Sequence, residues 1–204
     1  MDTMQTILTR KSVKKYKDTP VPKELIDQVI EAGLHAPSGL NKQAAIILAV
    51  TNKEVRDELS RLNAGDDPFF RKDPFYGAPV VLVVLGDKSA FTYLYDGSLV
   101  MENMLLAAHS LGLGACWIHR AKETFSRPEG KAILAKLGIE GEYEGIGNCI
   151  LGYADIEPEK KIIAPKNKIE ISSISNFKIR FPRMSFIARL AQITSTNAPR
   201  IVEE

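Results

Sequence analysis

Residues 79–86 are almost wholly valine and leucine, and this run constrains the fold more than any other feature of the chain. An uninterrupted apolar run of strand length is typical of a strand that is buried on both faces, with other elements covering each side of its sheet. Residues 97–111 are apolar nearly all round, which indicates a helix at the centre of the protein rather than on its surface. Both segments require a core of substantial size, which 204 residues can supply in one domain.

Helical and strand patterns alternate along the rest of the chain, which predicts a mixed α/β layer fold. Thr3 is expected to cap a short helix that ends near Arg10, and Pro22 to open a second helix that ends at Gly33. Residues 66–76 contain two prolines and four aromatic residues and are interpreted as a structured loop. The remaining predicted elements are strands at 44–51, 115–118 and 149–153 and helices at 53–62 and 129–137.

The composition excludes several classes of protein. A net charge of +2 is too small to suggest a nucleic-acid partner. No apolar run reaches the length of a membrane span, and polar residues near the N-terminus occupy the place where a signal peptide needs an apolar core. Cys116 and Cys149 lie in apolar segments without CxxC spacing, which favours buried, reduced thiols. The three histidines are too scattered along the chain for a metal site. From the reduced cysteines and the lack of a signal-peptide or membrane-span pattern, we expect a cytoplasmic protein.

Two polar segments carry the functional signal. Residues 10–17 (RKSVKKYK) provide five cations, one serine hydroxyl and no acid, which suits the binding of a phosphate group. Residues 36–43 (APSGLNKQ) form a Pro-Ser-Gly turn followed by two amide side chains, which suits the polar edge of a planar ring. One ligand with a phosphate at one end and such a ring at the other would satisfy both segments. Flavin mononucleotide (FMN) is such a ligand.

These segments, together with residues 77–84, 96–104, 111–118 and 145–153, resemble the nitroreductase family of FMN-dependent oxidoreductases. The resemblance covers residues from about 3 to 168 and implies an α/β (α+β) fold, with a mainly antiparallel sheet wrapped by helices. It therefore implies an FMN-binding domain at residues 1–168. Residues 169–204, rich in Ser, Ile and Arg, do not match the family pattern and are treated as a C-terminal extension.

The resemblance also implies which residues contact the cofactor. The phosphate is expected to lie among Arg10, Lys11, Ser12, Lys166 and Lys168, with Lys14 reaching the pyrimidine edge of the ring. The ring itself is expected beside Pro37, Ser38, Gly39 and Asn41, with main chain from Trp117, Ile118, His119 and Arg120 near flavin N5. Many relatives have Glu-Gly in place of His119-Arg120, so only main-chain contacts carry over there. No side chain is expected to be catalytic, because the flavin performs the chemistry.

The activity implied by the resemblance is transfer of hydride from NADH or NADPH through FMN to nitroaromatic or quinone acceptors, with ping-pong kinetics. No GxGxxG motif follows a predicted strand, so the nicotinamide is expected to lie transiently over the flavin rather than in a Rossmann site. The resemblance further implies a homodimer in which the second subunit contributes residues 37–41. Two alternatives stay open: a specialised flavin enzyme of the same fold, and a flavin-binding sensor or storage protein with little turnover.

Overall fold

The computed structural model describes residues 2–65 and 73–156. Lys166, Lys168 and the predicted boundary after residue 168 lie outside the described residues, as do residues 66–72 of the predicted loop. The described ranges contain one sheet of four strands in the order β1-β2-β4-β3, with every pairing antiparallel, as the resemblance implied. The strands are β1 (Ala45–Val50), β2 (Val80–Asp87), β3 (Gly114–Ile118) and β4 (Tyr143–Gly152).

Strand β2 lies inside the sheet and is buried along most of its length, which confirms the prediction from its valine and leucine run. Because side chains alternate across a strand, Leu82 and Val84 contribute to one hydrophobic core while Val81 and Val83 contribute to the other. Each such side chain contributes about 1.5–3 kcal/mol when it is fully buried. The sheet therefore separates two cores that share β2.

Six helices cover the two faces of this sheet. They are α1 (Thr3–Thr9), α2 (Lys23–Leu34), α3 (Lys53–Ala64), α4 (Tyr93–Ser110), α5 (Ala121–Ser126) and α6 (Pro128–Lys136) in the described part of the chain. Residues of α2 and α4 pack into the first core, and residues of α3, α5 and α6 pack into the second. The expected mixed layer architecture is therefore confirmed.

Helix α4 begins at Tyr93, four residues before the predicted start. Met101 and Met104 on one side of it are fully buried in the first core. The opposite side exposes apolar side chains, with Tyr95 73% exposed and Leu99 45% exposed in the single chain. Part of the apolar surface of α4 is thus left uncovered by the described residues of its own chain. Among the helices described, none is both long and apolar enough to cross a membrane.

The local structure differs from the sequence prediction at three further places. Asp2, not Thr3, caps α1, because its carboxylate accepts a hydrogen bond from the Gln5 N–H at 2.8 Å. Helix α5 was not predicted, since six residues are too few for a periodic pattern. Strand β4 begins at Tyr143 rather than Cys149, because glycines weaken the strand signal in its first half. One of them, Gly145, passes so close to α5 that a Cβ would lie 2.2 Å from the Ala121 carbonyl carbon.

Both cysteines are buried and form no disulfide, as predicted. Cys116 lies in the second core and Cys149 in the first, on opposite faces of the sheet. Burial raises the pKa of the Cys149 thiol, which keeps this group protonated and unreactive.

Candidate functional site

Residues 10–14 run along the outer edge of β3, directly after α1 ends. Ser12 forms a parallel bridge with Ala115, and the Val13 N–H donates to the Ala115 carbonyl at 3.0 Å. The Val13 side chain packs so closely on Gly114 that a Cβ there would approach it to 2.8 Å. The basic residues of this segment are therefore held as one group at the edge of the sheet.

The guanidinium of Arg10 lies beside α4. Its Nε is 3.7 Å from Oε1 of Glu102, and the two side chains are 26% and 49% exposed. Near the end of α4, Nε2 of His109 lies 2.8 Å from Oγ1 of Thr9. Partial burial lowers the pKa of His109, and the positive charges of Arg10 and Lys11 lower it further. The cations Arg10 and Lys11 therefore lie near this end of α4, and their positive charge suits the binding of a phosphate group.

Lys14 extends towards the turn that precedes β2. Its Nζ lies 5.8 Å from the centre of the Tyr76 ring, within the range of a cation–π contact. Tyr76 has a left-handed backbone, with φ of 55°. Asp73 fixes the turn by accepting hydrogen bonds from the Gly77 N–H at 2.7 Å and the Phe75 N–H at 3.0 Å. The aromatic partner of Lys14 is thus held in place.

The same turn is anchored to α3 by a buried arginine. Arg56 donates from Nη2 to Asp73 at 2.7 Å and from Nε to the Ala78 carbonyl at 3.1 Å. Ser60 Oγ donates to the second oxygen of Asp73 at 2.7 Å. Partial burial opposes ionisation of Asp73, but the hydrogen bonds from Arg56 and Ser60 outweigh it and keep the pKa of the carboxyl below its usual range. This network was not predicted from the sequence.

Residues 37–43 form a strained loop between α2 and β1. Leu40, Asn41 and Gln43 all have φ near +50°, a left-handed backbone that costs about 1–3 kcal/mol for each such residue. The Ser38 hydroxyl accepts the Gln43 N–H at 2.9 Å. Leu40 is 80% exposed, so it does not hold the loop against the core of its own chain.

Asp96 of α4 fixes this loop at Gly39. Its Oδ1 accepts the Gly39 N–H at 3.0 Å, and its Oδ2 accepts the Thr92 hydroxyl at 2.9 Å. The residue is only 4% exposed. A Cβ on Gly39 would lie 2.4 Å from Thr92 Oγ1, so the loop and the start of α4 are in close contact. The sequence prediction missed Asp96, although an acid in the first turn of an apolar helix was an available signal.

The last group of predicted residues follows β3. The Ile118 carbonyl accepts from Asn148 Nδ2 at 3.3 Å, and the His119 carbonyl accepts from Asn63 Nδ2 at 2.9 Å. Arg120 has φ of 73° and donates to the Ala64 carbonyl at 3.1 Å. The His119 side chain is exposed. The main chain at the end of β3 is therefore rigid, while the imidazole is not built into the core.

Within one chain, the structure separates the loop from the basic segment. Thr9, just before the basic run, contacts His109, and Gly39 contacts Asp96, so the two contacts lie about 20 Å apart along α4. Arg10 reaches Glu102, which lies about 120° around the helix from Asp96. Residues 10–12 are thus grouped with β3, and residues 37–41 are grouped with the other end of α4.

A small cavity opens beside the loop. Its volume is about 180 Å³, and it is lined by Lys42, Gln43, Ala44, Ile46, Asp87, Ser89, Ala90 and Tyr143. This volume is below the roughly 300–1,000 Å³ that is typical of small-molecule sites. None of the predicted cofactor contacts is among the lining residues, so this cavity is not the predicted site.

The Nitroreductase family model matches residues 7–153, which is most of the chain. The chain belongs to the nitroreductase family. The match includes the basic segment, the strained loop and the end of β3, and it ends before Lys166 and Lys168. The family assignment made from the sequence is therefore confirmed.

Curated relatives support this assignment. A protein of Methanothermobacter thermautotrophicus, named for NADH dehydrogenase and NAD(P)H nitroreductase activities, is 37% identical over 123 residues. That match covers 57% of this chain and 60% of the relative, so the chain spans less than two thirds of that relative's length. The NADPH-flavin oxidoreductase of Vibrio harveyi is 30% identical over 186 residues, which are 82% of this chain and 72% of that enzyme. The expectation of an oxidoreductase is confirmed by these relatives.

A solved structure has the same fold. The nitroreductase of Bacteroides fragilis, crystallised with bound FMN, superimposes on this chain with a TM-score of 0.72 and 28% sequence identity. The superposition covers 84% of this chain and all of that one. The expected nitroreductase-like fold is confirmed, whereas the contacts of individual residues with a cofactor stay predictions.

Proposed function

We propose that this protein is an FMN-dependent NAD(P)H oxidoreductase that reduces nitroaromatic or quinone-type acceptors. The observation that carries the proposal is the group of Arg10, Lys11 and Ser12, which the bridge between Ser12 and Ala115 fixes at the edge of β3. A phosphate there would meet a guanidinium fork, an ammonium group and a hydroxyl, and charge-assisted hydrogen bonds of this kind are the strong ones. The bound FMN of the Bacteroides fragilis relative supports this ligand.

The other predicted residues also fit the ring of FMN. Lys14 would approach the pyrimidine edge, and Ser38 and Asn41 would offer hydrogen bonds to ring carbonyls and nitrogens. The carbonyls of Ile118 and His119 already accept hydrogen bonds from asparagine side chains. This stretch would therefore present main-chain N–H groups rather than carbonyls to the ring.

FMN, when bound, supplies a ring that takes hydride from NADH or NADPH and passes reducing equivalents to the acceptor. The cations Arg10, Lys11 and Lys14 would stabilise negative charge at the site. The rigid main chain after β3 and the strained loop would orient the ring, and neither needs to rearrange during the reaction. The reductant and the acceptor would use the same space in turn, which gives ping-pong kinetics.

We further propose a homodimer whose two sites each combine the basic segment of one subunit with residues 37–41 of the other. Along α4 the Arg10 contact at Glu102 lies about 9 Å from the Gly39 contact at Asp96 and about 120° around the helix, which supports this arrangement because the two segments lie on different sides of the helix. The exposed Tyr95 and Leu99 on α4 and the exposed Leu40 on the loop supply apolar surface for a partner. Isologous dimers pair such a surface with its own copy.

The buried thiols support a reducing compartment. Neither Cys116 nor Cys149 forms a disulfide, and such free, buried cysteines are usual in proteins kept reduced. We therefore propose that the protein acts in the cytoplasm.

The cofactor and the turnover are tested first. The purified protein should show flavin absorbance bands and release FMN on denaturation, and stopped-flow mixing with NADH or NADPH should bleach those bands rapidly. A protein that never binds FMN would refute the proposal. Binding with bleaching that is slow or absent would favour the sensor or storage alternative instead.

The shared site is tested by mixing two defective subunits. An Arg10→Ala subunit and a Gly39→Val subunit should each form homodimers that bind FMN weakly, because valine at position 39 would collide with Thr92. In a mixed dimer with shared sites, one site carries both substitutions and the other carries neither. We therefore expect one tight FMN per mixed dimer, and a complete lack of recovery would place each site within one chain.

A further inference from the structure

We infer that Asp96 is the positioning residue of the ring-contacting loop, acting through the Gly39 N–H and together with Thr92. This inference rests on the proposed FMN site, because residues 37–41 are the predicted ring contacts. Asp96 would touch neither the cofactor nor the substrate. Its role would be to fix the backbone of this loop against α4.

The first argument is the strain of the loop. Leu40, Asn41 and Gln43 adopt left-handed backbone conformations, which persist only where surrounding contacts fix them. The apolar side chain of Leu40 points away from the core of its own chain, at 80% exposed. A hydrogen bond within the loop closes it on itself, and the Asp96 hydrogen bond to the Gly39 N–H joins the loop to a helix of the core.

The second argument is the burial of Asp96 itself. A carboxylate that is only 4% exposed loses favourable hydration, and hydrogen bonds must replace it. Both of its oxygens are used, one by Gly39 and one by the Thr92 hydroxyl. Its position in the first turn of α4 adds the favourable field of the helix N-terminus. The arrangement thus commits both oxygens of a buried acid to the contact between the loop and the helix.

The third argument is the close contact at Gly39. A Cβ there would lie 2.4 Å from Oγ1 and 2.8 Å from Cγ2 of Thr92, so any other residue would push the loop away from α4. The hydrogen bond and the missing side chain act together, because the N–H can reach Asp96 only while the backbone lies against Thr92. Because the loop is already ordered, FMN binding does not have to supply the free energy of ordering it.

The test compares Asp96→Ala with Asp96→Asn. Asparagine can still accept the Gly39 N–H through its oxygen, while its amide can donate to the Thr92 hydroxyl, so this variant should stay within about threefold of the wild-type FMN dissociation constant. Alanine removes both contacts and should raise that constant about tenfold or more. Thr92→Val, which removes only one hydrogen bond, should give an intermediate value and serves if Asp96→Ala does not fold.

A matched control separates positioning from simple loss of stability. Asn52→Ala removes a side chain that accepts the Val55 N–H at 3.0 Å at the start of α3, away from the loop. It should lower the melting temperature without changing the FMN dissociation constant by more than about twofold. If Asn52→Ala and Asp96→Ala weaken FMN binding equally for the same loss of stability, Asp96 is only structural and the inference is wrong.

Hydrogen exchange of the cofactor-free protein gives an independent readout. The Gly39 amide should exchange slowly in the wild type and in Asp96→Asn, and at least about tenfold faster in Asp96→Ala. Equal exchange rates in all three proteins would overturn the inference even if FMN binds. A wild-type protein that does not bind FMN would refute the proposed function, and the exchange data would still decide whether Asp96 sets the loop conformation.

Discussion

Arg10→Ala should weaken the binding of FMN without affecting the binding of riboflavin. Riboflavin has the same ring as FMN but lacks the phosphate, so it does not need the basic segment. The Arg10 guanidinium is partly exposed and lies 3.7 Å from Glu102. To turn towards a phosphate, the side chain would have to give up this weak ion pair.

The size of the effect follows from these contacts. A hydrogen bond to a charged group contributes about 1.5–3 kcal/mol, which corresponds to a loss of FMN affinity of about 10- to 150-fold in Arg10→Ala. A partly exposed ion pair contributes about 0–1 kcal/mol. Glu102→Gln, which releases Arg10 from that pair, should therefore tighten FMN binding by at most about fivefold. Arg10→Lys should lie between wild type and Arg10→Ala, because an ammonium group lacks the guanidinium fork.

Quenching of flavin fluorescence measures both ligands in the same buffer. The effect on FMN should shrink as salt is added, because ions screen partly exposed charges. Lys23→Ala is the matched control, since it removes one positive charge from an exposed ion pair on α2. It should leave both affinities unchanged. The phosphate assignment is wrong if Arg10→Ala weakens FMN and riboflavin equally, or if it weakens neither.

Three further predictions concern single side chains. Burial and the cations Arg10 and Lys11 lower the pKa of His109 in the folded protein. The unfolded chain therefore binds a proton at this residue more readily, and the free energy of unfolding should fall as the pH drops below about 6.5. His109→Gln should lose less stability than the wild type in acid unfolding experiments. His119→Ala should keep most NADH-driven turnover, because only its main chain is expected near the ring; a loss of about a hundredfold or more would instead make the imidazole catalytic. Arg56→Met should lower the free energy of unfolding in urea by about 1–3 kcal/mol, since Asp73 loses its cation but stays partly exposed and keeps its hydrogen bonds from Ser60 and Gly77.

The central elements of the fold could be predicted because each carries its own periodic pattern. The run at 79–86 indicated β2, and its alternate residues enter the two cores. The antiparallel order of the strands has no such local signal, since it depends on pairings such as Val83 with Asn148 between distant parts of the chain. That order came from the resemblance to a family. The short α5 and the glycine-rich half of β4 were missed, because tertiary contacts decide their structure.

The residues expected to touch a ligand could be named from the sequence, but the residues that hold them could not. Arg10 and Lys14 stand out as cations in a polar run, whereas Asp96 and His109 lie in a segment whose apolar sequence predicts a buried helix. Asp96 contacts a residue that lies 57 positions earlier in the chain, and His109 contacts one that lies 100 positions earlier. The acid in the first turn of α4 was a local signal for Asp96, but these long-range contacts have no local pattern and could be found only from the fold.

Helix α4 connects these observations, because its two ends hold the two halves of the proposed site. His109 contacts the segment before the basic run, and Asp96 contacts the strained loop. In one chain, the Arg10 contact at Glu102 lies about 120° around the helix from the Gly39 contact at Asp96, so the basic segment and the loop lie on different sides of α4. In the proposed dimer, the loop of one subunit would meet the basic segment of the other. The exposed apolar side chains of α4 would then be the surface that joins the two copies.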